Sequence, residues 1–168
     1  MAAYEPMAVH LQTERLRLRP WHEGDAEELR QLYGERGAGV CTVEEARRDI
    51  GVLLAKAAES GVALLPVERR REGDFIGYCG LTVGRATVQE PEIAYELLKR
   101  AHGSGYATEA ARAVVAAAAA TGRERLWSTV RTWNAASFRV LDKLGFERDR
   151  VTRDARGELV WLSRSLVG

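Results

Sequence analysis

The chain has 168 residues, 46% hydrophobic and 29% charged, and is expected to fold as one domain over 1–168 that buries roughly 70% of the surface its unfolded form exposes. Its 25 Lys and Arg against 24 Asp and Glu leave a formal charge of +1, which gives no broad basic field and excludes nucleic acid as the expected partner. Cys41 and Cys79 form no CxxC and no paired histidine accompanies them, so neither a disulfide framework nor a metal site is expected and both thiols read as bystanders. The first twenty residues carry Glu5, Pro6, His10, Glu14 and several arginines, and the most apolar stretch, 110–120, contains Arg112 and is too short to span a bilayer. A cytoplasmic protein without membrane contact is therefore expected.

Residues 16–21 alternate Leu16, Arg17, Leu18 and Arg19 ahead of Pro20, a period-2 pattern that predicts a strand with one buried face. Asp25 with Glu28 predicts a capping box for a helix whose apolar face is Leu29, Leu32 and Tyr33 and whose stop is Gly34. After a loose stretch over 34–41, Thr42 with Glu45 caps a second helix. There Val43, Ala46, Ile50, Leu53, Leu54 and Ala57 recur at spacings of three and four up to Gly61. These helices are expected to cover the substrate mouth or one sheet edge.

The period then changes. Residues 62–67 read as a strand that Pro66 places toward an edge, 69–74 as a charged turn, and 75–83 as the second strand of a hairpin. A turn over 84–89 leads to a strand over 91–99, then to a glycine loop and an alanine-rich helix from about 105 to 121 that ends at Gly122. Residues 126–133 form the next strand, with Trp127 and Trp133 sharing parity as core or groove wall. Asn134 opens a short helix bearing Phe138, Leu141 and Leu144, Gly145 ends it, and 147–152 with 158–166 make a terminal hairpin. This order predicts an α+β fold, a mixed and mostly antiparallel sheet with helices packed against it.

The junction after residue 99 is a ready anion site. Free N–H groups at the helix start point at whatever sits there, and the aligned peptide dipoles favour negative charge by about 0.3–1 kcal/mol. A phosphate is the expected ligand. A Walker loop would need Lys-Ser/Thr entering the helix, where Tyr106-Ala107 stand, and a dinucleotide fingerprint would need a third glycine, where Thr108 stands.

What remains, Arg100-Ala101-His102-Gly103-Ser104-Gly105, resembles the Arg/Gln-x-x-Gly-x-Gly/Ala coenzyme A loop of the GNAT acetyltransferases. Gly-Tyr-Ala-Thr-Glu-Ala at 105–110, Asn134-x-x-Ser137, Lys143-Leu144-Gly145-Phe146 and the opening Leu16-Arg17-Leu18-Arg19-Pro20 are similar to the Rim-type branch, which includes ribosomal-protein N-terminal acetyltransferases. The likeness covers nearly the whole chain. It implies a six- to seven-stranded sheet flanked by about four helices, with the strand over 91–99 and the next one splayed around the pantetheine arm of acetyl-CoA. Backbone groups near Leu97 and Leu98 would pair with that arm. N–H groups of Gly103, Ser104, Gly105, Tyr106, Ala107 and Thr108 would hold the pyrophosphate, with Arg100 adding charge. His102 would pack the loop or donate to a phosphate, and Lys143 is either a last-turn cation or a contact to the 3′-phosphate end. Asn134, an N-cap accepting from the N–H of Ala136 or Ser137, would face the arm, and Ser137 matches the hydroxyl that protonates the leaving thiolate.

The implied reaction is direct attack of an amine on the thioester, without a covalent enzyme intermediate. At pH 7 an α-amine of pKa about 7.7–8 is roughly 10–20% neutral, whereas a lysine amine is below about 0.1% neutral, so a protein N-terminus needs less help from a base. Some relatives place a base glutamate and a tyrosine acid where this chain has Thr129 and Leu141, so that pair is unusable here. Glu92 is the expected base, directly or through water. Glu96 shares its face unless a bulge intervenes, and with Glu90 the two glutamates equally offer an acidic attraction for a cationic amine. The expected function is acetyl transfer to a primary amine, with two alternatives: the same chemistry on an aminoglycoside or polyamine, and an acyl-CoA-binding regulatory module without turnover. A homodimer is left open.

Overall fold

The computed structural model describes residues 4–37, 39 and 41–168, so positions 38 and 40 of the loose stretch expected over 34–41 lie outside the described residues. Eight strands make one sheet in the spatial order β1 (Leu11–Gln12), β2 (Leu16–Leu18), β3 (Leu64–Arg69), β4 (Phe75–Thr82), β5 (Glu92–Leu97), β6 (Arg125–Arg131), β8 (Gly157–Ser165) and β7 (Glu147–Asp154). All neighbours run antiparallel except β5 and β6, which are parallel and paired at Glu92 opposite Trp127. The strand beyond the seven expected is β1, too short for periodicity to reveal. Four α-helices among the described residues complete the α+β fold: α1 (Ala26–Glu35), α2 (Val43–Ser60), α3 (Tyr106–Ala120) and α4 (Ala135–Lys143). None of the described helices is long and apolar enough to cross a membrane.

Two apolar clusters lie on opposite faces of the sheet. Ala110, Ala111, Val114 and Ala118 of α3 pack on Leu18, Val67, Ile93 and Leu126, and their small side chains let the helix approach the strands closely. Leu29 and Leu32 of α1 with Ala46 and Ile50 of α2 cover Trp21, Phe75 and Leu98. Along β4 the register jumps from Val67 opposite Gly77 to Glu68 opposite Phe75. Ile76 is thus the extra residue of a bulge, and it lets Phe75 serve one cluster while Ile76 and Cys79 both serve the other. Pairing of β5 with β4 is unbroken from Glu92 to Leu97. The bulge therefore sits on β4, and Glu92, Ala94 and Glu96 do share a face.

Two local readings are corrected. Pro66 does not mark an edge, since β3 lies between β2 and β4. Its carbonyl accepts from the Arg19 N–H just past the end of β2, so the missing proline N–H faces a place where the neighbouring strand has already stopped at Leu18. Asp25 stands at the N-cap position of α1 but makes no side-chain cap there, and is instead the third residue of a box begun at His22: its carboxylate accepts from the His22 N–H at 3.0 Å and takes both arms of Arg19 at 2.8 Å. Glu28, expected to reach back, keeps one buried oxygen without a partner among the described residues. Thr42 and Glu45 form the expected reciprocal box on α2.

Candidate active site

Peptide groups of odd-numbered β5 residues face β6: the Pro91 carbonyl accepts from the Trp127 N–H at 3.0 Å, and the Ile93 carbonyl from the Ser128 hydroxyl at 3.4 Å. Beyond Ile93 the two strands diverge, and the splay opens where Tyr95 and Leu97 turn their backbone toward it. A cleft of about 660 Å³ starts there and runs along the glycine loop to α4, within the range of small-molecule sites.

The loop is held from three sides. Lys99 donates its N–H to Glu35 at 2.8 Å, and the Nε2–H of His102 donates to the Leu97 carbonyl at 2.9 Å. Glu109, in the first turn of α3, accepts from Thr13 at 2.5 Å and from the backbone and side chain of Arg15 at 3.0 and 2.7 Å. Burial pushes the Glu109 carboxyl up, but these donors outweigh it and leave the group below its ordinary range. Gly103 and Gly105 take φ of +82° and +81°, a backbone that a side chain would strain. The result is a row of N–H groups from Gly103 to Thr108 with no acceptor among the described residues, which fits an anion in the way the loop sequence suggested.

The cleft wall brings together Leu97, His102, Gly103, Gly105, Tyr106, Ala107, Thr108, Asn134, Ser137 and Lys143, but not Leu98, Arg100 or Ser104. Leu98 turns its N–H to the Ile76 carbonyl at 2.8 Å and buries its side chain under α1 and α2. Tyr95 takes the place expected of it, a residue that counting back by two from Leu97 would have found. Arg100 points away, to Asp74 at 2.5 Å and the Phe75 carbonyl at 2.6 Å. Its charge anchors the loop to the β3–β4 hairpin, while the cleft is lined by Lys99, Arg139 and Lys143 and by Arg36, which is paired with Glu96. Arg139 was legible in principle, being four residues before Lys143 on one helix face.

Hydrogen bonds from Arg69, opposed by partial burial and reinforced by Arg100, hold the Asp74 carboxyl at about 2. The folded-state pKa is thus depressed, so this stabilisation is complete above the ordinary carboxylate range near about pH 4 and is lost as pH falls toward about 2. We predict that Asp74→Asn flattens part of the decline in melting temperature over that window; an identical decline in both proteins would contradict the assignment.

A second cavity of about 380 Å³ lies behind the first, and Tyr95, Asn134 and Ser137 line both. Asn134 caps α4 by accepting from the Ser137 N–H at 3.2 Å, and the Tyr95 hydroxyl donates to the Ser137 carbonyl at 3.3 Å. Burial pushes the Tyr95 phenol up to about 12, so it stays a donor at neutral pH. Glu92, only 5% exposed, lines this second cavity. One oxygen accepts from the Arg85 N–H and the other from the Thr129 hydroxyl, both at 2.6 Å. A Cβ at Gly84 would collide with this carboxylate, so glycine is needed to let it in.

The remaining expectations resolve differently. Glu96 is taken by Arg36 at 2.6 Å and approached by the Tyr78 hydroxyl at 3.3 Å, and Glu90 accepts from the Trp127 indole at 2.7 Å, so neither is a free acidic lure. Trp133 is 77% exposed beyond the end of β6, not core or groove wall. Leu141, the position of the tyrosine acid in some relatives, is fully buried.

Residues 15–147 match the family described as acetyltransferase (GNAT) domain. A Bacillus subtilis protein, uncharacterized N-acetyltransferase YoaA, is 30% identical over 151 residues, 85% of each chain. An acetyltransferase from Agrobacterium tumefaciens str. C58 is 26% identical with a TM-score of 0.79 over 98% of both chains. RimL, a ribosomal L7/L12 alpha-N-protein acetyltransferase solved with coenzyme A, superposes with a TM-score of 0.81 over 93% of this chain and 97% of its own, at 17% identity, a likeness of fold. Fold, loop and relatives together define an acyl-CoA-dependent N-acetyltransferase. The chain belongs to the acetyltransferase (GNAT) family, with Rim-type proteins among its structural neighbours.

Proposed function

We propose that this protein moves an acetyl group from acetyl-CoA to a primary amine, with the cofactor in the larger cleft and the acceptor in the smaller cavity. The observation that carries this reading is the meeting of the two cavities at Tyr95, Asn134 and Ser137. The unpaired N–H groups of Gly103 to Thr108 and the cations Lys99, Arg139 and Lys143 suit a pyrophosphate and 3′-phosphate, and the peptide groups of Tyr95 and Leu97 suit the pantetheine amides. Bound acetyl-CoA supplies the thioester carbon that the amine attacks.

Glu92 lies on the acceptor side and receives the amine's proton at a carboxylate oxygen, directly or through water. Thr129 occupies the position where some relatives carry a glutamate, and here its hydroxyl holds a carboxylate reaching over from the neighbouring strand. Ser137, on the shared wall, gives its hydroxyl proton to the departing sulfur and recovers one from solvent, to which Glu92 releases the proton it took from the amine. A weakly basic amine, such as a protein N-terminal α-amine, suits a site with one carboxylate, since roughly 10–20% of it is already neutral at pH 7. Calorimetry with acetyl-CoA and ATP, followed by thiol release across an amine panel, tests the reading. Micromolar acetyl-CoA binding and amine-dependent thiol release are expected; ATP binding without coenzyme A binding would overturn it.

A further inference from the structure

Three arginines from separate elements converge on the smaller cavity: Arg85 from the β4–β5 connection, Arg131 from the end of β6 and Arg156 from the β7–β8 turn. Arg131 is bound at both arms by Asp154, at 2.9 and 2.7 Å. The Arg85 side chain makes a single 3.3 Å bond to Thr129, and the Arg156 guanidinium has no partner among the described residues, only its backbone N–H reaching Asp154 at 2.8 Å. Three guanidinium groups thus face two carboxylates, Asp154 and Glu92. Glu92 is already accepting two hydrogen bonds and is buried on the cavity floor.

This balance is the reverse of what a polycationic acceptor needs. Of the carboxylates that the strand pattern offered for a cationic amine, Glu96 and Glu90 are engaged by Arg36 and by Trp127, and Glu92, which lines the smaller cavity, is held by the Arg85 N–H and the Thr129 hydroxyl. Resting on the acceptor assignment above, we propose that the acceptor is an amine carrying an anionic group, a carboxylate or phosphate, a few bonds from its nitrogen. The amine sits toward Glu92 and the anion toward Arg85 and Arg156, whose planar donors suit either oxyanion. Polyamines and aminoglycosides are disfavoured by the same charges.

The test compares β-alanine and O-phosphoethanolamine with propylamine and putrescine as acceptors, and Ala-Asp amide with Ala-Lys amide, by thiol release. The two anionic amines distinguish carboxylate from phosphate. Anionic acceptors are expected to have kcat/KM about tenfold or more above propylamine, with putrescine lowest. Arg156→Gln and Arg85→Gln are each expected to reduce the anionic-to-neutral ratio about tenfold. The ratio is read within each protein, so a general loss of activity cancels. Propylamine or putrescine matching the anionic amines overturns the proposal while leaving the transferase reading intact. Calorimetry of β-alanine and propylamine on the coenzyme A complex gives a second readout. β-Alanine binding that is weakened in Arg156→Gln, with no turnover on any amine, supports the anion site and overturns the transferase reading; equal or absent binding of the two amines counts against the anion site.

Discussion

Glu92→Gln is expected to lower kcat at pH 7 by about 10²- to 10⁴-fold, the range for loss of a general base, with acetyl-CoA affinity unchanged. The change isolates the chemistry because the fold can absorb it. The Arg85 N–H can only donate and keeps the amide oxygen as its acceptor, while the Thr129 hydroxyl now at 2.6 Å rotates to accept from the new NH₂. Stability should fall by less than about 1 kcal/mol, against about 1–3 kcal/mol for Glu92→Ala, which strands the Arg85 N–H. A pH profile sharpens the test. As pH approaches the amine's own pKa, near about 8 for an α-amine, the substrate deprotonates unaided and the deficit of the variant should shrink. An unchanged kcat at pH 7, or a deficit constant with pH, would remove Glu92 from the role of base.

Gly80→Ala is expected to damage the fold severely. A Cβ there would collide with the Ala63 carbonyl oxygen and come within 2.7 Å of Leu64 Cα. Both obstacles are backbone, so relief requires β3 to move away from β4 in the middle of the sheet. The cost is expected to be about 3 kcal/mol or more, a melting-temperature loss of roughly 6–12 °C for a chain of this size. Gly73→Ala is the control. At φ +75° it meets nothing within 4 Å, so only left-handed backbone strain of about 1–2 kcal/mol is incurred. If Gly80→Ala melts no lower than Gly73→Ala, the close approach is not what requires glycine at position 80.

Most helix caps and stops were readable in advance because they depend on groups three or four residues apart, although Gly34, the expected stop of α1, lies inside that helix, which runs to Glu35. Thr42 with Glu45, Asn134 over Ser137 and the left-handed glycines 61 and 145 all fall where spacing put them. Asp25 stands where the start of α1 was expected but does not cap it, because its carboxylate is taken by Arg19, which reaches it from the end of β2. The same kind of distant pairing redirected Arg100: a charge beside a phosphate loop reads as a phosphate ligand until Asp74 of another hairpin is seen to hold it.

The glycine spacing, the missing lysine and third glycine, and the ordered motifs were enough to indicate the family and the cradle for an anion, since each is a property of consecutive residues. Tertiary structure alone decided which side chains meet across the splay. The bulge at Ile76 lies on β4 and leaves β5 regular, so Tyr95 and not Leu98 faces the cleft, and Glu92 is delivered to Thr129 on the next strand. Side chains alternate between faces along a strand, so a single inserted residue reverses every later assignment, and no local pattern states which strand carries the insertion. The convergence of Arg85, Arg131 and Arg156 has the same origin: residues up to 71 positions apart meet only because the sheet order places β8 beside β6 and brings two turns and the end of β6 together.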